Sequence, residues 1–141
     1  MHEAVRPLIP ADIADVSALE AGARQTLRDQ RGGPQRLDEV PPADWEGALG
    51  RAWVGTIDDV VVGYLEAELR PPVVEVRQVY VHPEARELGL GDDLLATAMA
   101  AGRAAGCTVL EGTALPGDRD TKNLFERAGV VARKIVVSKP L

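Results

Sequence analysis

Two glycines separated by one leucine, Gly89 and Gly91, stand directly before a run of apolar residues at helical spacing. The first backbone N–H groups of a helix have no intrahelical acceptor, and glycine lets that backbone come close to a ligand. Unpaired N–H groups and the positive end of the helix dipole together favour an anion such as a phosphate. The spacing therefore predicts an anion-binding turn around residues 86–92.

Two common nucleotide-binding motifs do not fit this turn. A dinucleotide-binding fingerprint needs a third glycine three residues after Gly91, where this sequence has Leu94. A Walker A loop needs Gly-Lys followed by Ser or Thr, whereas Gly91 is followed by Asp92 and Asp93. The anion is therefore not expected to be part of a dinucleotide or a nucleoside triphosphate bound in either of these ways.

The segment from Arg86 to Gly91, preceded by the strand-like "VYVHPEAR", resembles the acyl-CoA-binding motif of the GNAT superfamily of N-acyltransferases. The pattern of that motif is Gln/Arg-x-x-Gly-x-Gly/Ala between a strand and a helix. The order of predicted elements fits the same family over nearly the whole chain. The resemblance implies one GNAT-like domain over residues 1–141, which uses acetyl-CoA and no metal. It also implies direct transfer of the acetyl group to a primary amine of a small molecule or peptide.

The resemblance implies which residues bind the cofactor. In the family, the strand before the turn diverges from its neighbour and leaves backbone groups free for the pantetheine arm. The family usually has a basic residue where this sequence has Leu88, so weaker support for the phosphate charge is expected. The implied cofactor-binding residues are Val79, Tyr80, Val81, Arg86, Glu87, Leu88, Gly89, Leu90, Gly91, Asp92, Asn123 and Phe125.

An alkylamine titrates at about 10 and must lose a proton before it attacks, so a nearby carboxylate is a suitable base. Glu75 lies eleven residues before Arg86, where many family members carry a catalytic glutamate. It is equally compatible with an outward-facing charge paired with Arg77 or a neighbouring strand. Glu66 and Glu68, on the adjacent predicted strand, are lesser candidates for the same task.

Phe125 stands where the family often has a tyrosine that protonates the departing thiolate, with Asp118 and Thr121 at the usual Asn and Ala positions. A thiol titrates at about 8.5, so its anion leaves tolerably well without an acid. A slow enzyme is expected, with water or Tyr80 as the substitute proton donor. The alternative is a catalytically weak CoA-binding sensor or interaction module.

The segment from Ala21 to Val40 covers the acceptor site in the family. Its four arginines could admit a carboxylate-bearing amine, although a solvated loop of mixed charge is the commoner explanation. These arginines are Arg24, Arg28, Arg31 and Arg36. Four other conspicuous residues are interpreted as structural: His82, Cys107, Trp45 and Trp53.

The elements that must position these residues follow the order β-α-α-β-β-β-α-β-α-β. This order predicts a mixed α+β domain with a mostly antiparallel sheet of about six strands, flanking helices and one β-α-β crossover. Gly-Gly-Pro and Pro-Pro breaks favour a loop over residues 28–44. The strands are predicted at 3–8, 52–57, 60–69, 73–81, 108–114 and 130–138. The helices are predicted to begin at about 13, at 42, at 91 and at 120.

The composition narrows the classes of partner. A net charge of −6 argues against nucleic acid and against an anionic membrane surface. The single cysteine excludes an internal disulfide, and without a signal-peptide core the default location is cytoplasmic. The apolar strand predicted over Val130 to Val137 would end the sheet with an open edge, which favours a homodimer.

Overall fold

The computed structural model describes residues 1–141 as a five-stranded sheet with helices on both faces. The strands are β1 (Glu3–Pro7), β2 (Ala52–Ile57), β3 (Val60–Arg70), β4 (Val73–Val81) and β5 (Val109–Glu111). The helices are α1 (Ile13–Leu27), α2 (Gly33–Glu39), α3 (Leu90–Ala104) and α4 (Arg119–Arg127). No helix combines the length and the apolar character needed to cross a lipid bilayer.

The strands follow one another across the sheet in chain order, from β1 to β5. The first four are antiparallel, and β5 is parallel to β4 after the crossover through α3. A parallel neighbour needs such a crossover, whereas antiparallel neighbours can be joined by tight turns. The predicted mixed α+β class and the mostly antiparallel sheet are confirmed.

The β2–β3 hairpin turns at Asp58 and Asp59, as the sequence predicts. Both residues have positive φ, 48° and 66°, which is the backbone of the tight turn that matches the twist of a hairpin. Further along β3, Glu66 pairs with Gln78 while Ala67 pairs with Val76. Arg77 is therefore an extra residue on β4, a β-bulge that bends the strand next to the site described below.

The sheet separates two apolar cores. On one face α3 and α4 cover residues from β2, β3 and β4, with Leu65, Leu94, Leu95 and Ala98 fully buried. On the other face α1 packs on Val54 and Tyr64 through Val16. The apolar stripe predicted for the helix after Gly91 is thus the buried face of α3.

Two predicted elements are wrong. Residues 130–138 form no strand, and the sheet ends at β5, which is only three residues long. The helix predicted from Pro42 is a series of turns, whereas a helix lies within the predicted loop, at Gly33–Glu39. Gly32 has φ 81° and Pro34 lies in the first turn of α2, where proline needs no N–H partner. The Gly-Gly-Pro sequence therefore begins a helix here.

Candidate active site

A cleft of about 810 Å³ opens along the second half of β4. Strand β4 pairs with β5 only over Val73–Glu75, opposite Val109–Glu111, and the two strands then diverge. The cleft is the space that this divergence leaves. Its walls come from α1, α2, residues 76–81 of β4, residues 83–92 and residues 113–127.

The mouth of the cleft holds a run of unpaired backbone donors. The N–H groups of residues 86–92 donate to no acceptor within the protein, and the first bond of α3 runs from Asp93 N to Gly89 O. Glu87 and Gly89 have φ of 68° and 82°, so the chain turns sharply before the helix. Seven successive N–H groups at the start of a 15-residue helix form a site suited to an anion.

The two glycines of the turn serve different needs. Gly89 adopts the left-handed conformation, and no protein atom lies within 4 Å of the position that its Cβ would occupy. A Cβ on Gly91 would lie 3.3 Å from the side chain of Leu124 on α4. Gly89 thus leaves open space at the helix start, whereas Gly91 lets α4 pack closely against α3.

Arg86 connects the end of β4 to α4 at the mouth of the cleft. Its Nε donates to Val81 O over 2.9 Å, Nη1 pairs with Asp120 on α4, and the guanidinium lies 5.6 Å from the centre of the Tyr80 ring. Asp120 offsets part of the positive charge of Arg86. Arg127 and Asp92 form a second ion pair between α4 and α3, with Nε and Oδ1 3.0 Å apart.

All of the predicted cofactor-binding residues except Leu88 line the cleft. Leu88 is exposed, in keeping with its position at the tip of the turn. Phe125 is buried, and its ring lies so close to Gly112 that a Cβ there would be 2.4 Å from Cζ. Asp118 caps α4 by accepting from the backbone N–H and the hydroxyl of Thr121.

Glu75 lies outside the cleft. Its side chain is 48% exposed and pairs with Arg70, 3.2 Å away, rather than with Arg77. It stands in register between Glu68 on β3 and Glu111 on β5, a row of like charges offset by arginines. The β-bulge and the divergence of the strands place the residues after Glu75, not Glu75 itself, on the cleft wall.

A buried polar network lies behind the cleft wall. Gln78 Nε2 donates to Glu20 over 2.7 Å and to Glu66 over 3.2 Å. Glu66 is fully buried and pairs with Arg77 and Arg51, at 2.7 Å and 3.0 Å. Glu20 is not among the predicted site residues, although its place on the stripe of Ile13, Val16 and Ala23 marks it as facing the core.

Two tyrosines are paired across β3 and β4 in this wall. The ring centres of Tyr64 and Tyr80 are 5.9 Å apart, and both residues line the cleft. Burial raises the pKa of the Tyr64 phenol well above its ordinary value, and Glu20 adds to the rise. Tyr64 therefore stays protonated, while Tyr80 is only half-buried.

The remaining conspicuous residues have structural contacts. His82 Nδ1 accepts from Glu84 N, and Cys107 is a buried free thiol. Trp45 donates to Glu20 and packs edge-on against Tyr64, and Trp53 belongs to the core beneath α3. No group of three or more His, Cys, Asp or Glu side chains is arranged to hold a metal.

The segment before β2 divides its arginines between the cleft and solvent. Arg24 and Arg36 line the cleft, whereas Arg28 and Arg31 are exposed outside it. Arg36 Nη2 donates to the carbonyl of Arg77 over 3.1 Å, which joins α2 to the free edge of β4 at the bulge.

The sequence matches the acetyltransferase (GNAT) family over residues 21–130, most of the chain. No curated protein sequence matches it significantly.

Solved structures share the fold at low sequence identity. The aminoglycoside acetyltransferase AAC(6')-Iy, solved with the bisubstrate analog CoA-S-monomethyl-acetylneamine, has a TM-score of 0.71 and 17% identity over 100% of this chain and 99% of its own. A ribosomal-protein-alanine N-acetyltransferase from Brucella melitensis biovar Abortus has a TM-score of 0.69 and 18% identity, over 100% and 99%. The protein yncA from Salmonella typhimurium, solved with acetyl-CoA, has a TM-score of 0.66 and 21% identity, over 90% and 78%.

Proposed function

This chain belongs to the acetyltransferase (GNAT) family, and we propose that it transfers the acetyl group of acetyl-CoA to a primary amine of a small molecule or peptide. The observation that carries the proposal is the run of seven unpaired N–H groups, residues 86–92, at the mouth of the cleft. Coenzyme A carries a pyrophosphate, which needs such donors together with the positive end of a helix dipole. Related folds solved with CoA or acetyl-CoA support the same ligand.

The residues present fit an acyl-CoA. The turn from Arg86 to Asp92 would hold the pyrophosphate, because its N–H groups have no acceptor in the protein and Gly89 leaves open space beside the helix start. The free edge of β4, residues 76–81, would lie along the pantetheine arm, with Asn123 and Phe125 on the opposite wall. The arm would then reach the bulge at Arg77, where the strands begin to diverge.

Acetyl-CoA supplies an acetyl thioester: as the amine nitrogen bonds to the carbonyl carbon, the carbon–sulfur bond breaks, the nitrogen loses a proton and the sulfur gains one. Glu75 is held by Arg70 outside the cleft, so the structure favours water as the direct acceptor of the amine proton. Tyr80 is our candidate donor to the sulfur. It has a half-buried hydroxyl on the wall, whereas Phe125 has none.

A CoA-binding module with little or no catalysis is the second candidate function. Phe125 favours it, because the hydroxyl that many family members use as an acid is missing at this position. The two functions differ in one measurement: the release of free CoA thiol from acetyl-CoA by the purified protein, across a panel of primary amines. The transferase predicts thiol release that depends on an amine. Acetyl-CoA binding without thiol release on any amine would favour the binding module.

A homodimer is the assembly that we propose for this chain. Residues 130–141 carry five large apolar side chains that are at least 79% exposed: Val131, Ile135, Val136, Val137 and Leu141. The same segment has three basic residues and no acidic one, in a chain of net charge −6. Arg133 pairs with Glu111, which places the segment beside β5, a strand with a partner on one side only. A second copy offers both an acidic surface and an open edge for this segment.

A further inference from the structure

The charge of the cleft differs from that of the whole protein. Six arginines and four acidic residues line the cleft of a chain whose net charge is −6. All four acidic residues, Glu87, Asp92, Asp118 and Asp120, lie on the turn before α3, in the first turn of α3 or around the start of α4. The opposite wall, made by α1, α2 and β4, contributes Arg24, Arg36 and Arg77 and no acidic residue. The charged side chains that line the acceptor side of the cleft are therefore all arginines, while two carboxylates, Glu20 and Glu66, are buried behind it.

Two of these three arginines have carboxylate partners. Arg77 pairs with the buried Glu66 and with Glu68, and Arg36 pairs with the exposed Glu39. These pairs offset much of their charge.

Arg24 has no carboxylate partner. Its Nη1 donates to the carbonyl of Val40 over 2.6 Å and its Nη2 to that of Leu37 over 3.4 Å, and it forms no ion pair. Carbonyl oxygens orient a guanidinium without cancelling its charge, and a guanidinium has five N–H donors. Arg24 thus keeps both a positive charge and free donors, on a half-buried side chain that lines the cleft.

The charge of Arg24 acts near the acceptor end of the cleft. Burial raises the pKa of Tyr64, Glu20 raises it further and Arg24 opposes the rise, so the guanidinium lies within electrostatic reach of the phenol. Tyr64 pairs with Tyr80 across the strands, close to the bulge at which the acetyl group would lie. A cation in a partly desolvated cleft favours an anion held beside it.

We infer that the acceptor is a small amine that also carries a carboxylate, and that Arg24 binds this carboxylate. The inference rests on the proposed function. A guanidinium binds a carboxylate through charge-assisted hydrogen bonds, which are stronger than neutral ones. The amine end would then lie toward the bulge of β4, away from the guanidinium of Arg24.

Matched amines test the inference. Rates of thiol release would be compared for 4-aminobutanoate and 4-aminobutanamide, and for lysine and cadaverine. The carboxylate-bearing member of each pair should have the higher kcat/KM, by about tenfold to a hundredfold. Arg24→Gln should remove most of this preference, and Arg24→Lys should retain part of it. Arg28→Gln, at the end of the same helix directly after Leu27 and outside the cleft, should leave the preference unchanged.

The outcomes separate this inference from the proposed function. Turnover of amines with no preference for a carboxylate, or with a preference for the uncharged member, would overturn the inference alone. The wild-type comparison gives this answer even if the Arg24 variants do not fold. Absence of turnover on every amine would overturn the proposed transferase and the inference together.

Discussion

Nε2 of Gln78 on β4 donates to Oε2 of Glu20 on α1 over 2.7 Å, which joins the first helix to the strand that forms the cleft wall. The same carboxylate accepts from the backbone N–H of Ala43 and from Trp45 Nε1. Glu20 is 4% exposed, so water cannot replace these contacts. One buried carboxylate therefore holds together α1, the segment before β2 and the wall of the cleft.

Glu20→Ala should lower the free energy of unfolding by about 2 kcal/mol or more, because the buried Trp45 Nε1 and the part-buried Ala43 N–H lose their acceptor and Gln78 keeps only Glu66. Urea unfolding followed by circular dichroism measures the loss. Asp15→Ala is the matched control, since Asp15 is an exposed acidic residue on the same helix, and it should cost less than about 1 kcal/mol. Equal losses for the two variants would contradict the role given to Glu20.

The Arg6–Asp12 ion pair should make the free energy of unfolding depend on pH. Hydrogen bonds from Arg6, and one from the backbone N–H of Ile9, hold the pKa of Asp12 below its usual value in the folded protein. A depressed folded pKa stabilises the protein above the unfolded value, about 3.9, and this contribution is lost as the pH falls through the folded pKa.

The difference in unfolding free energy between wild type and Asp12→Asn should therefore be largest above about pH 5 and should shrink below about pH 4. Urea titrations at several pH values measure it. In an Arg6→Met background the dependence on pH should be much weaker. A difference that stays constant from pH 7 to pH 3 would show that the pair does not contribute in this way.

The sequence predicts the parts of the fold that depend on local patterns. Two apolar runs on either side of Asp58-Asp59 specify the hairpin, and apolar residues at helical spacing after Gly89 specify α3. The segment 130–138 has a strand-like composition but pairs with no strand, and such pairing is not encoded locally. Trp45 resembles a helical anchor, yet Glu20, twenty-five residues earlier, fixes it in a turn.

One end of the candidate site could also be predicted from the sequence, whereas the other end could not. The motif at residues 86–91 is contiguous, so the cofactor end of the cleft could be predicted from sequence. The acceptor end combines α1, α2 and the β4 bulge, and the register shift at Arg77 is invisible in the sequence. Glu75 was predicted from its spacing to Arg86. That spacing could not show that β4 still pairs with β5 at Glu75.

Tyr80→Phe should lower kcat for amine acetylation, by about tenfold to a hundredfold, if its hydroxyl protonates the departing sulfur. The dissociation constant for acetyl-CoA should change little, because the ring remains. Glu75→Gln is the comparison on the same strand, and its pairing with Arg70 in solvent predicts a change below about threefold. An unchanged kcat in Tyr80→Phe would exclude this proton donor. A large loss in Glu75→Gln that recovers at high pH would identify Glu75 as the base.

The exposed segment after Gly129 should determine the oligomeric state. Light scattering of the full chain should give the mass of a dimer, and a chain that ends at Gly129 should give that of a monomer. Replacement of Ile135 and Val137 by serine should weaken the dimer without shortening the chain, because both side chains are more than four-fifths exposed in one copy. A full-length monomer at working concentration would contradict the proposed assembly.

The most direct test of the account is the binding of acetyl-CoA to two glycine variants at opposite ends of α3. Gly89 and Gly106 both have positive φ, 82° and 89°, and neither has a protein atom near its missing Cβ. Gly89→Glu and Gly106→Glu should therefore strain the backbone alike, but only the first places a carboxylate among the free N–H groups. Isothermal titration should show acetyl-CoA binding to wild type and Gly106→Glu, and affinity at least about tenfold weaker, or none, for Gly89→Glu. Equal affinity in all three proteins, or none in wild type, would contradict the account.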